Sequence, residues 1–311
     1  MISTNLFQDV LITPAAAHDE LCIVSGYASP AFVQTHLYQL KEHHTNTKIK
    51  INLIIGMVVS EGISEVNHNS FIRLMNTVNP KFECYYVVKG PPVHAKTYIW
   101  LKEGIPQHAY VGSANYSSNG FFTNREIVAD ANAILCMNYY NELLQDSVAS
   151  YNLDSNKVNR REKINTPLIP NTPNYTSTDT LEVSLLDSKG EMHTRAGLNW
   201  GQRDGRNKNQ AYIPINGISR SSGFFPPKGI AFTTITDDGV SFELVVAQDN
   251  NKALETPQSN AILGQYFRQR LNLSNGAFVT KNDLLSYGRT SVIFKKLNDD
   301  LYFMDFAKWK K

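Results

Sequence analysis

The chain carries little cysteine, no long apolar run and almost no net charge. Its three cysteines, Cys22, Cys84 and Cys136, stand far apart, each in an apolar stretch. An odd number without C-x-x-C spacing argues against a disulfide framework and against a cysteine-built zinc site. Buried thiols in a reducing, cytoplasmic setting are expected instead. No apolar run approaches the ~18 residues of a membrane-spanning helix. Residues 1–20 lack the basic region and apolar core of a signal peptide. No role at a membrane is therefore expected. The net charge of +2 is unevenly placed: residues 1–180 hold 13 Lys and Arg against 15 Asp and Glu, and residues 181–311 hold 17 against 13. The second part is the better partner for a polyanion, although a solvated basic face has the same composition.

What is present suits two packed domains. The 311 residues are 42% hydrophobic, which supports buried cores and argues against disorder. Over the first 150 residues strand and helix patterns alternate. Strands are expected at 21–26, 48–59, 81–89, 94–100, 109–115 and 126–129, and helices at 29–42, 64–78 and 132–150. Ser29 followed by Pro30 is a helix start, and Gly90-Pro91-Pro92 is a break. The run Ile51-Asn52-Leu53-Ile54-Ile55 suits a strand covered on both faces. This pattern predicts an α/β layered domain over 1–151. Residues 152–180, rich in Asn, Thr, Ser and Pro, read as a linker. From 181 to 311 the pattern changes to short strands at 181–186, 211–214, 229–236, 241–247, 291–297 and 301–306, with one clear helix at 260–271. Many short strands with turn punctuation predict a mostly-β barrel or pseudobarrel.

The chemistry concentrates in two segments. His94-Ala95-Lys96 opens one apolar run, and Gly112-Ser113-Ala114-Asn115 closes the next, with the turn-like Lys102-Glu103-Gly104-Ile105-Pro106 between them. In strands, residues i and i+2 share a face, so His94 is expected beside Lys96, and Ser113 beside Asn115. A hairpin would bring His94 to Asn115, and Glu126 follows after a loop. An imidazole, a fixed cation and two neutral hydrogen-bonding groups suit a phosphate. H-x-K alone is a weak signal, and Gly, Ser and Asn are also turn residues; the combination is what points to a site. Tyr27, after the first strand, either lines the pocket or is packed. His18, His43, His44, His68 and His108 have no such context.

These motifs resemble the single H-K pattern of the phospholipase D superfamily: H-x-K, then G-S-x-N, then a downstream Glu. The resemblance implies His94 as nucleophile or acid, Lys96 and Asn115 as phosphate ligands, Ser113 as a supporting donor and Glu126 as an orienting carboxylate. Where that superfamily often has Asp five residues after the Lys, this chain has Leu101, which weakens a lipase-like assignment. The pattern is similar to the metal-independent restriction endonucleases of the NgoFVII and BfiI type. One H-K motif supplies one histidine, whereas attack on phosphorus and protonation of the leaving oxygen need two. A homodimer sharing one composite site is therefore expected. No carboxylate cluster with metal-ligand spacing accompanies the motif, so no cofactor and no metal are expected.

In the second half, residues 193–210 pack Arg195, Asn199, Trp200, Gln202, Arg203, Arg206 and Lys208 into a Gly-punctuated loop. Arg and Lys pair with guanine edges and Asn and Gln with adenine edges, while the cations also contact phosphates; a polar surface loop is the alternative. A second polar segment holds Asn250, Asn251 and Lys252, ahead of a helix carrying Arg268 and Arg270. Gly201-Gln202, Tyr212-Ile213-Pro214-Ile215 and the stretch 263–271 resemble the plant B-three-type DNA-binding pseudobarrel of the same NgoFVII-like family, in which two loop arms read the bases. Together the resemblances imply a sequence-specific endonuclease acting on double-stranded DNA, with a cognate methyltransferase and a helicase-like ATPase subunit as partners. The alternatives are another phosphodiesterase of the superfamily, acting on RNA or lipid, and a non-catalytic DNA-binding protein.

Overall fold

Strand β1 (Glu20–Ser25) carries Leu21 and Ile23 on one side and Cys22 and Val24 on the other, and all four are buried. A strand apolar on both sides needs cover on both faces, and this one has it. The structure is a computed structural model describing residues 5–44, 48–76, 80–152, 180–215, 223–297, 299 and 301–308. The chain divides into two compact units, 1–165 and 166–311. Apart from its end residues, the linker expected at 152–180 lies outside the described residues. Among the described residues no helix is long and apolar enough to cross a membrane.

In the first unit β1 pairs in parallel with β2 (Lys50–Ile55), and β2 with β3 (Lys81–Val87). On the other side β1 pairs antiparallel with β4 (Lys96–Lys102), then β5 (Ile105–Gly112) and β6 (Val128–Ala131) follow antiparallel. A short β7 (Ser147–Ala149) closes the far edge, giving the order β6-β5-β4-β1-β2-β3-β7. Helix α1 (Pro30–His43) starts as its sequence requires, with Ser29 Oγ accepting from Phe32 N. A single turn, α2 (Val58–Glu61), precedes α3 (Glu65–Leu74), which Ser64 caps in the same way. Phe32, Val33 and Leu37 of α1 and Phe71 of α3 cover one face with Leu21, Leu53, Tyr98 and Trp100. Helix α4 (Ala133–Gln145) covers the other with Tyr140 and Leu143 against Val24, Ile54 and Ile99.

Several expected strand limits move: the strand expected over 48–59 spans only Lys50–Ile55, with residues 58–61 in α2, and two limits change at the candidate site. The strand expected from His94 begins at Lys96, and the one expected to reach Asn115 ends at Gly112. The alternation that would place His94 beside Lys96 thus does not apply, and the backbone before and after the strands decides their directions. Residues 146–150, expected at the end of a helix, instead form the turn and the edge strand β7.

The second unit is a seven-stranded sheet of order β8-β13-β14-β10-β11-β12-β9. Its strands are β8 (Thr180–Ser184), β9 (Ile213–Pro214), β10 (Ala231–Thr236), β11 (Ser241–Ala247), β12 (Ala253–Glu255), β13 (Ser291–Lys296) and β14 (Leu301–Asp305). All pairs are antiparallel except β10 with β14. The end strands β8 and β9 touch without pairing, so the sheet curls into a pseudobarrel. Helix α5 (Asn260–Arg270) was legible in the sequence; α6 (Lys281–Tyr287), held by a Thr280–Asp283 capping box, was not.

Candidate active site

The candidate residues gather at one end of the first sheet, beyond the end of β1 and of β5 and ahead of β4 and β6. Register sets this: Ser25 lies opposite Lys96, Thr97 opposite Val111, and Gly112 opposite Val128. Glycine then lets the flanking segments come close. A Cβ on Gly56 would lie 2.0 Å from the Val93 carbonyl oxygen, and one on Gly120 2.2 Å from that of Asn115. The segment entering His94 and the loop carrying Asn115 therefore pack directly on backbone.

His94 is exposed, while Lys96 is buried to 5% exposure. The Lys96 ammonium lies 2.8 Å from His94 Nδ1 and 3.2 Å from Nε2, and donates to the His94 carbonyl oxygen at 2.8 Å. Burial pushes the Lys96 ammonium pKa down, and the Glu126 carboxylate acts against that shift. Ser113 Oγ donates to Glu126 Oε2 and accepts from Ile127 N, while Asn124 Nδ2 donates to Glu126 Oε1. Asn115 Oδ1 accepts from Tyr27 N at 3.2 Å, with Ser25 Oγ at 3.4 Å. The Tyr27 ring meets the His94 ring edge-on, with centroids 5.7 Å apart. Tyr27 thus touches both His94 and Asn115, and it is 38% exposed. The group can hold an anion with a cation and neutral donors beside a solvent-reachable imidazole.

Behind this group lies a layer that sequence reasoning missed. Ser25, fully buried, donates to Tyr27 O at 2.6 Å and accepts from Tyr116 N at 2.9 Å, so one hydroxyl joins the residues flanking Asn115. Tyr98 OH donates to Ala114 O at 2.7 Å. Burial holds the phenols of Tyr98 and Tyr116 well above their ordinary pKa, so both remain donors. Tyr116 OH stands 2.6 Å from Nδ1 of buried His36, whose Nε2 stands 3.0 Å from Leu11 O. Since Leu11 O only accepts, Nε2 carries the proton and Nδ1 takes the Tyr116 hydroxyl. Burial lowers the His36 pKa to about 4. Ser25 stands in the Ser25-Gly26-Tyr27 segment at the strand end, which is the only sequence signal it gives.

In the second unit the segment 193–210 folds on itself around a short 3-10 helix, Gly197–Gln202. Asn199, expected to face DNA, is instead fully buried. Its Nδ2 donates to His193 O and Val279 O, and its Oδ1 accepts from Val279 N, so no polar edge remains for a base. Arg268 is also fully buried and donates to the carbonyls of Ala277, Gly264, Leu198 and Asn209. Arg270 is held by Asp237 and by the hydroxyls of Tyr266 and Tyr287. Neither arginine belongs to the exposed face. Gln202 is half-buried and its Nε2 donates to Gly276 O at 3.0 Å. Arg195, Arg203, Arg206 and Lys208 are exposed, while Trp200 is half-buried with Arg206 over its ring. Asn250, Asn251 and Lys252 are exposed, and both asparagines adopt positive φ (58° and 54°), which asparagine tolerates better than most residues. Among the described residues no cluster of three or more His, Cys, Asp and Glu is built to hold a metal ion.

Residues 4–159 match the family of the NgoFVII restriction endonuclease N-terminal PLD domain, and residues 174–298 match the NgoFVII C-terminal B3-like DNA-binding domain. A comparison with curated proteins found no match. Among solved structures, NucT from Helicobacter pylori is similar at 17% identity, over 48% of this chain and 96% of that one, with a TM-score of 0.34. Nuc from Salmonella typhimurium, a phospholipase D family member, is similar at 16% identity, over 45% and 87%, with a TM-score of 0.32. A polyphosphate kinase from Porphyromonas gingivalis is similar at 13% identity, over 47% and 20%, with a TM-score of 0.29.

Proposed function

The chain belongs to the NgoFVII restriction endonuclease family, and from that membership we propose a metal-independent, type II-like endonuclease that hydrolyses double-stranded DNA through a histidine nucleophile. Residues 1–151 cut and residues 181–311 read the sequence. The observation that carries this is the gathering of His94 and Lys96 with the Asn115 amide and the Ser113–Glu126 pair at one end of the sheet.

An imidazole nitrogen of His94 attacks phosphorus in line, and the bond from phosphorus to the leaving oxygen breaks. Lys96 offsets charge on the non-bridging oxygens, and Asn115 and Ser113 orient them. The leaving oxygen takes a proton from His94 of a second copy of the chain. Water then attacks the phosphohistidine, its proton passes to that second histidine, and the phosphorus–nitrogen bond breaks. No other histidine occupies this cluster among the described residues, so the second imidazole is assigned to a homodimer. Apolar side chains beside the site support that assignment: Ile127 is 52% exposed and Val111 41%. They flank Ser113 and Glu126, next to the edge strand β6.

Cleavage of plasmid DNA in EDTA, compared between the wild type and His94→Ala, tests the reading. Expected is cutting by the wild type with a covalent phosphohistidine trapped by an alkaline, denaturing quench, and none by the variant, which still binds duplex. Cutting that needs a divalent ion, or that survives in His94→Ala, would overturn it. Partnership with a methyltransferase and a helicase-like ATPase is also part of the proposal. Cutting at the same rate with Mg²⁺, ATP and that subunit supplied as with the chain alone would remove the ATPase from it.

A further inference from the structure

Among the exposed cations of the 193–210 loop, Arg206 stands apart by how it is held. Its guanidinium lies over the Trp200 ring at 4.2 Å. The indole is itself fixed edge-on by buried Tyr212, with centroids 5.5 Å apart. Nη1 of Arg206 donates to Gln210 Oε1 at 3.0 Å, and Gly205 at φ 72° turns the chain into it. One of five N–H donors is thereby engaged, and the others remain on an exposed side chain. Arg203, by contrast, has its Nε committed to Arg195 O at 2.8 Å, and among the described residues no ring lies beneath its guanidinium.

The platform under this stack is closely packed. A Cβ on Gly201 would lie 2.3 Å from Asn207 O, and one on Gly264 1.6 Å from Asn209 O. Asn209 Oδ1 accepts from Gly276 N at 2.7 Å, and Arg268 reaches Asn209 O from below. Long side chains lose rotamer freedom when they bind, and a guanidinium already stacked and oriented has less to lose. That is an arrangement for geometric readout more than for a phosphate, which any mobile lysine can meet. Asp204, exposed at the apex between Arg203 and Arg206, agrees with this. A carboxylate is repelled by phosphates but accepts from the amino group of cytosine.

Resting on the sequence-specific endonuclease reading, we propose that Arg206, stacked on Trp200 and steered by Gln210, reads one guanine in the recognition sequence through paired N–H donors to O6 and N7. The recognition sequence then contains at least one G·C pair whose identity depends on this side chain.

The test uses the full chain silenced by His94→Ala, bound to duplexes with a randomised core, with bound and unbound pools sequenced. Arg206→Ala and Arg206→Lys are each combined with His94→Ala. Expected is loss of preference at one G·C position, by roughly 5- to 150-fold, with the remaining positions unchanged. Trp200→Leu weakens the same position. Arg206→Lys keeps the charge at an exposed site, so its loss is read without a folding defect, which thermal melting confirms. Weaker binding of every sequence with an unaltered profile would make Arg206 a phosphate contact and overturn the proposal, as would no change at all. A silenced parent that selects no sequence would instead overturn the endonuclease reading itself.

Discussion

Asn115 has an amide with an oxygen end and a nitrogen end, and its neighbours decide which end faces the opening. Oδ1 is taken by Tyr27 N, so Nδ2 is the donor left for an anion. Ser25 holds that choice in place by bonding the backbone on both sides, at Tyr27 O and Tyr116 N. Ser25→Ala is expected to lower kcat on the order of 10²-fold with KM nearly unchanged, because a misplaced donor costs most in the transition state. Ser25→Thr keeps the hydroxyl and restores part of the rate. Equal effects on kcat and KM, or a rate that follows the loss of melting temperature, would make Ser25 a packing residue only. The spacing of His94, Lys96, Ser113, Asn115 and Glu126 was legible because the proposed chemistry uses their side chains. Ser25 and His36 were not, because they act through backbone atoms and a buried phenol. Asn199 misled for a related reason: a loop asparagine reads the same whether its amide meets a base or, as here, two carbonyls and an N–H.

At the scale of elements, the helix starts at 29–30, 64–65 and 132–133 agree with the sequence better than the helix ends do. Ser29 and Ser64 start α1 and α3 where side-chain oxygen can meet backbone N–H. Strand limits moved because pairing, which sequence does not display, ends β5 at Gly112 and starts β4 at Lys96. The three-residue β12 and the two-turn α6 carry too little periodicity to be seen. Helix α1 reaches the site loop through His36, which joins Tyr116 to Leu11. Its pKa is about 4 in the folded chain against an ordinary 6.5. Between those values the unfolded chain binds a proton that the folded chain does not. The contribution is therefore full above the ordinary value and fades as pH falls toward the folded one. Denaturant unfolding at pH 7 and pH 4.5 should show a loss of roughly 2–3 kcal/mol from this group, absent in His36→Gln. An equal acid loss in the variant would clear His36 of that role.

At the scale of the whole molecule, one H-K motif per chain sets the question of how many chains make a site. A nuclease domain complete in itself would tolerate a dead neighbour. A composite one would not. Wild type mixed and exchanged in equal amounts with His94→Ala should then show, per total protein, about one quarter of the wild-type activity, the fraction of pairs with two intact imidazoles, against about half for independent sites. The surface that would bring the copies together is the apolar fringe beside Glu126, where Ile127 offers its side chain to solvent while its N–H is engaged by Ser113. A glutamate there places two like charges across a two-fold contact, which favours separation. Ile127→Glu is therefore expected to sediment as a monomer and to stop cutting while keeping its melting temperature. A monomer that still cuts would show that each chain carries both the attacking and the protonating group, and the second proton donor would have to be sought within the same chain.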